Sequence, residues 1–130
     1  MKKYIYMSIP VICLICVMVI LKTVLFIGYV PSASMAPTIR TGSIIIANRC
    51  YRELDKGDII VFNHDNTVMV KRIAAIPGET ITIGNKKYLA PLDGYFVLGD
   101  NTNSSFDSRY WNEPFVKKAD IIAVLVCQLN

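Results

Sequence analysis

Residues 58–76, DIIVFNHDNTVMVKRIAAI, decide the fold class of this chain. Asp58 to Phe62 is a short run rich in β-branched residues, Asn63-His64-Asp65-Asn66 has turn composition, and Thr67 to Ile76 reads as a second strand. The two runs predict a hairpin. Working outward, Ser43 to Ala47 reads as a strand before it. Glu79 to Ile83 and Lys86 to Leu89 form a second hairpin across Gly84-Asn85, and Tyr95 to Leu98 and Ile121 to Val126 are further strands. No amphipathic helix or internal repeat is evident. The expected fold is mainly β, a compact barrel-like or folded antiparallel sheet.

Period-two alternation places Met69, Lys71 and Ile73 on one face of the 67–76 strand and Val68, Val70 and Arg72 on the other. Lys71 therefore has apolar neighbours on its own face. Burial there would disfavour the ammonium and make the lysine a base, whereas a place at the sheet rim would let it snorkel to water. Alternation alone favours the rim.

The chain begins with a different composition. Tyr4 to Leu21, YIYMSIPVICLICVMVIL, is uncharged, and as a helix its 18 residues span about 27 Å against a hydrocarbon core of about 30 Å. Lys2 and Lys3 precede it, so the positive-inside rule keeps the N-terminus cytoplasmic and the remainder extracytoplasmic. A cleaved secretory signal is the competing reading, but the run exceeds the usual apolar region of about 7–15 residues, and Pro37 suits a cut poorly. The expected organisation is a cytoplasmic tip and transmembrane anchor over 1–22, an apolar juxtamembrane segment over 23–30 and an extracytoplasmic β-rich domain over 31–130.

Composition excludes other classes. The net charge of +4 owes much to Lys2, Lys3 and Lys22 around the apolar run, leaving 11 Lys and Arg against 10 Asp and Glu, so nucleic-acid binding has no electrostatic support. Cys13 and Cys16 have metal-ligand spacing but lie in the apolar run without a second pair. They read as lipid-facing or packing residues. Whether Cys50 and Cys127 meet is open.

Ser34 lies between Pro31 and Pro37, which disfavour a helix interior and predict a fixed, exposed loop. It is a candidate nucleophile, although a serine in such a loop is by default a solvated turn residue unless a base and an oxyanion site join it. His64, the sole histidine, sits beside Asp65 in a turn where adjacent side chains diverge, so a Ser-His-Asp arrangement is disfavoured. Gly99 to Arg109, GDNTNSSFDSR, is a loop of hydroxyls and amides with acids and an arginine. It reads either as a surface loop with an Asp107–Arg109 ion pair or as a second hydroxyl brought to a lysine base.

Four segments, PSASMAPTI around Ser34, KGDIIVF from Lys56, VKRIAAIPGE from Val70 and GDNTNSSFDSR from Gly99, stand in one order that resembles the type I signal peptidases. The resemblance implies a β-rich fold of that type with one N-terminal transmembrane helix, and a membrane-bound serine endopeptidase that removes signal peptides after a small-x-small motif. It aligns Ser34 with the nucleophile and Lys71 with the general base, turning the lysine from rim residue to catalytic residue. The Ser34 backbone N–H and Ser32 hydroxyl align with oxyanion donors, Ser105 with the hydroxyl that orients the lysine, and Asp107 and Arg109 with a loop-stabilising pair supported by Asp100. Ile44, Ile46, Ile59 and Val61 are candidate pocket walls. Thr102, Ala33 and Ala74-Ala75 depart from common family residues without removing a catalytic group.

The implied partners are preprotein signal peptides, the lipid bilayer and the translocation machinery, with no nucleic acid and no metal or organic cofactor. A specialised relative, such as a conjugative-transfer or dedicated-substrate peptidase, and an inactive anchored domain that binds signal peptides or a translocase partner are the alternatives. Self-cleaving repressors use the same residue pair, but the anchor and the lack of a DNA-binding segment disfavour them.

Overall fold

The computed structural model describes residues 2–129, with side chains from Tyr6 onward. The side chains of Lys2 and Lys3, on which the expected orientation rests, and Asn130 lie outside the described residues. Helix α1 covers Lys2–Val24, with Pro10 inside it. Tyr6–Val24 is long and apolar enough to cross a membrane, and none of it is buried against the protein. Being apolar on all sides, it has no face to bury against a sheet and suits lipid instead. The chain passes directly into strand β1, Leu25–Tyr29. These residues fall in the segment expected to be juxtamembrane, and they pair with a strand of the domain.

The remaining strands are β2 (Ile44–Asn48), β3 (Ile59–His64), β4 (Thr67–Ala75), β5 (Thr80–Ile83), β6 (Lys86–Leu89), β7 (Gly94–Leu98), β8 (Phe115–Lys117) and β9 (Ile121–Leu129). Seven form one sheet in the order β1-β2-β9-β3-β4-β7-β8, and β5 and β6 form a separate pair. The β3–β4 hairpin is tighter than its composition suggested. His64 pairs with Thr67, leaving Asp65 and Asn66 as a two-residue turn, both at positive φ. Asp and Asn tolerate that region, and such a turn matches the twist of the flanking strands.

The expected barrel does not close. β1 bonds only to β2 and β8 only to β7, so the sheet keeps two open edges. Short strands separated by turns occur in both open and closed sheets, and their count says nothing about whether the ends meet. Register shifts at Ile46/Ala47, Val61/Phe62 and Ile73/Ala75 bend the sheet without joining its ends.

Two apolar clusters divide the interior, and β3 feeds both through its alternation. Ile60 and Phe62 join Ile73, Val97, Trp111 and Ile121, while Ile59 and Val61 join Met35, Ile39, Ile45 and Ala123. Burial of each large side chain is worth about 1.5–3 kcal/mol. Through Met35 and Ile39 the second cluster fastens the loop that carries Ser34. The loop is further closed by Val30 N–H to Ser43 O (3.0 Å) and Gly42 N–H to Val30 O (2.8 Å).

Candidate active site

Ser34 and Lys71 come from opposite kinds of structure. Ser34 sits on a loop fixed by core residues, and Lys71 lies near the middle of β4, opposite Ile60 of β3. Lys71 Nζ donates to Ser34 Oγ at 2.8 Å, and both residues are buried, at 5% and 7% exposure. Lys71 has no carboxylate partner within ion-pair distance among the described residues. Burial pushes its pKa down, opposed by the more distant charge of Asp107. Such an amine loses its proton more readily than a surface lysine. Ser32 Oγ lies 3.2 Å from Ser34 Oγ.

The loop after β7 holds this pair from behind. Asn101 N–H donates to Ser34 O (3.0 Å) and its side-chain amide to Ala33 O (3.0 Å). Gly99 is a position of forced close approach. An added Cβ would fall 2.6 Å from Ser34 O and would collide with Ser105 Oγ. Asp107, fully buried, accepts from Gly99 N–H (2.9 Å), Ser105 Oγ (2.7 Å) and the Arg109 guanidinium (2.8 and 2.9 Å). Burial raises its pKa, but these donors together outweigh burial and keep the carboxyl below its ordinary range.

Asp100 is held by a two-pronged contact from Arg72, at 2.8 and 2.6 Å, while Arg72 Nη1 donates to Gly57 O at 2.7 Å. That bond to Arg72 lowers the pKa of Asp100. Arg72 and Asn101 were not singled out by sequence reasoning. Arg72 follows Lys71, and alternation sends it to the other face, where it braces the same loop. The GDN run carried the signal for Asn101.

The structure brings Ser34, Lys71 and Ser32 together and places Asp100, Ser105, Asp107 and Arg109 in the adjoining loop. Ser105 Oγ donates to Asp107 Oδ2 at 2.7 Å, which leaves its lone pairs free to accept from another donor. The expected pocket walls are displaced. A cavity of about 550 Å³ opens beside Ser34 and Lys71, lined by Phe26, Tyr29, Met35, Ile45, Val70 and Phe106 among others. Ile44, Ile46, Ile59 and Val61 do not line it. Ile44 and Ile46 lie one residue out of phase with Ile45, and Ile59 and Val61 are packed in the core.

His64 lines separate depressions and stacks on Trp111 at 3.9 Å between ring centroids, rather than standing solvated in a turn. All four cysteines are free and exposed, so Cys50 and Cys127 do not pair.

The sequence pattern described as "Signal peptidase, peptidase S26" matches residues 1–90 and 86–129. The chain belongs to the signal peptidase, peptidase S26, family. It is 32% identical to "Probable signal peptidase I-2" of Synechocystis over 64% of this chain and 54% of that protein. It is 30% identical to "Signal peptidase I S" of Bacillus subtilis over 76% and 74%. A third signal-peptidase-family relative, 26% identical over 94% and 89%, is "Inactive signal peptidase IA" of Staphylococcus aureus. The chain thus spans about half the length of the Synechocystis relative and 63% of a Leptolyngbya signal peptidase I. With α1, this membership identifies a membrane-associated peptidase-family protein whose helix fits a single-pass topology.

Proposed function

We propose that the chain is a membrane-bound serine endopeptidase that removes N-terminal signal peptides from translocated preproteins after a small-x-small motif. The observation that carries this is the 2.8 Å contact between buried Lys71 Nζ and Ser34 Oγ, with no carboxylate within ion-pair distance of the amine among the described residues. With Lys71 neutral, the hydrogen bond reverses and the Ser34 hydroxyl donates to the nitrogen lone pair. Ser34 Oγ then attacks the scissile carbonyl carbon while Lys71 takes its proton. The charge developing on the carbonyl oxygen is met by the Ser34 backbone N–H and the Ser32 hydroxyl, each such donor being worth about 2.7–4 kcal/mol in comparable sites. Collapse breaks the C–N bond, and Lys71 returns the proton to the leaving amine. Water, deprotonated by Lys71, hydrolyses the Ser34 ester and releases the signal peptide.

The family resemblance implies selection of small side chains on either side of an intervening residue, by pocket walls with which a larger side chain would clash. Lys2 and Lys3, ahead of the apolar span of α1, orient the domain outward by the positive-inside rule, where preproteins emerge from the translocation machinery.

The inactive relative supports a second reading, an anchored domain that binds signal peptides without cutting them. Incubating the detergent-solubilised chain with a preprotein separates the two. Wild type cleaves, while Ser34→Ala and Lys71→Ala remain folded and do not. Full cleavage by Lys71→Ala would overturn the proposed dyad, and a wild type that binds without cleaving would favour the second reading. Among active relatives, a panel of preproteins distinguishes general from dedicated specificity.

A further inference from the structure

Where α1 meets the sheet, a groove of about 550 Å³ is lined by Met18, Leu21, Leu25 and Phe26 together with Lys22 and Arg49. Its apolar lining comes from both α1 and β1, and both cations are exposed. Arg49 is fixed at the junction: its backbone N–H donates to Val24 O (2.8 Å), its Nε to Leu25 O (3.2 Å), and its guanidinium stacks 5.3 Å from the Phe26 ring centre. Nη1 and Nη2 have no protein acceptor among the described residues.

The level of this groove follows from the helix. A span of 19 residues, Tyr6–Val24, is about 28 Å long, so its last turn lies where hydrocarbon gives way to headgroups. Lys22 is in that turn, and Arg49 is bonded to Val24 at its end and to Leu25 just beyond it. Charge points the same way, because no Asp or Glu precedes Glu53, whereas Lys22, Arg40, Arg49 and Arg52 all do. Anionic lipid is attracted to such a basic juxtamembrane surface.

We propose that the groove binds one anionic phospholipid, its phosphate between the Lys22 ammonium and the Arg49 guanidinium and the start of an acyl chain along Met18 and Leu21. The site uses the membrane span and not the chemistry at Ser34, so Ser34→Ala binds lipid like wild type whatever the fate of the proposed activity.

The test is native mass spectrometry of the full chain released from detergent micelles containing phosphatidylglycerol or phosphatidylcholine. Wild type retains one phosphatidylglycerol and little phosphatidylcholine. Lys22→Gln and Arg49→Gln each lower retention about fivefold, and Lys86→Gln on β6 leaves it unchanged. Lys22→Gln leaves the Arg49 bonds to α1 and β1 intact, so its loss of lipid cannot come from a displaced helix. Excess inorganic phosphate leaves the lipid bound. Equal retention by the Lys22→Gln/Arg49→Gln double variant and wild type, or equal retention of the two lipids, overturns the proposal. So does displacement by inorganic phosphate, which would make this a free-anion site, or by an equimolar signal peptide, which would assign the groove to substrate.

Discussion

Two buried ionisable groups lie in neighbouring parts of the molecule and are treated in opposite ways. Asp107 is surrounded by donors from Gly99, Ser105 and Arg109, and its charge is held by them. Lys71 has one side-chain hydrogen-bond partner among the described residues, the Ser34 hydroxyl, and burial works against its charge. The first arrangement supports a loop, and the second suits the proton transfer proposed for Lys71. What separates them is the number of partners, since both side chains are almost fully enclosed.

The contrast is broken most sharply at Lys71. Lys71→Met keeps the stem and removes the amine, so preprotein cleavage falls by at least about 100-fold, within the range of a lost general base. Chemical denaturation at neutral pH finds this variant at least as stable as wild type, because a buried amine with a lowered pKa costs stability while it is charged. Asp107→Asn should do the reverse. It removes a buried charge and leaves Arg109 unpaired, lowering stability by about 3 kcal/mol by the same measurement. A loss of cleavage in this variant follows from the disturbed loop.

Gly99→Ala links the two regions. The added methyl collides with Ser105 and Ser34, and thermal melting and cleavage fall together, with a stability loss of about 1–3 kcal/mol.

The pH dependence sharpens the contrast with smaller effects of opposite origin. The folded Lys71 pKa lies below its unfolded value, so stability rises with pH between the two, and single-turnover cleavage falls as pH drops through the folded value. Lys71→Met flattens that stability rise. Asp107 has a folded pKa below its unfolded one, so its stabilisation is present above the carboxylate range and is lost as pH falls through the folded value. An acid melt of Asp107→Asn lacks that component. A cleavage profile flat from acid to alkaline pH would remove Lys71 from the mechanism.

The β character of the domain was legible because β2, β3, β4 and β9 carry dense β-branched runs between turn residues. β1 was not, since Leu25–Tyr29 continues the apolar composition of α1 and the only polar residues nearby, Lys22 and Thr23, fall inside the last helical turn with no turn residue at the change from helix to strand. β8 is three residues long, too short for alternation to register. At the site, the ordered segments pointed to Ser34 and Lys71. Alternation alone would have left Lys71 at a rim, because its burial comes from the Ser34 loop, 37 residues away in sequence. Of the expected pocket walls, Ile44 and Ile46 miss the cavity by parity, one residue out of phase with Ile45, whereas Ile59 and Val61 share the core cluster of Met35 and Ile45 and lie beneath the cavity rather than along it. The bond from Ser105 to Asp107 was not legible, as spacing does not say which acceptor a hydroxyl will take.

The direct passage from α1 into β1, with no loop between Val24 and Leu25, has a mechanical consequence. Phe26 and Tyr29, a few residues beyond the anchor, already line the cavity beside Ser34. Anchor and cleft are thus one strut, and in the proposed membrane-bound peptidase, with the bilayer as its footing, the strut sets the height at which a peptide bond can be reached. A chain inserted between Val24 and Leu25 would turn this fixed gauge into a swinging tether.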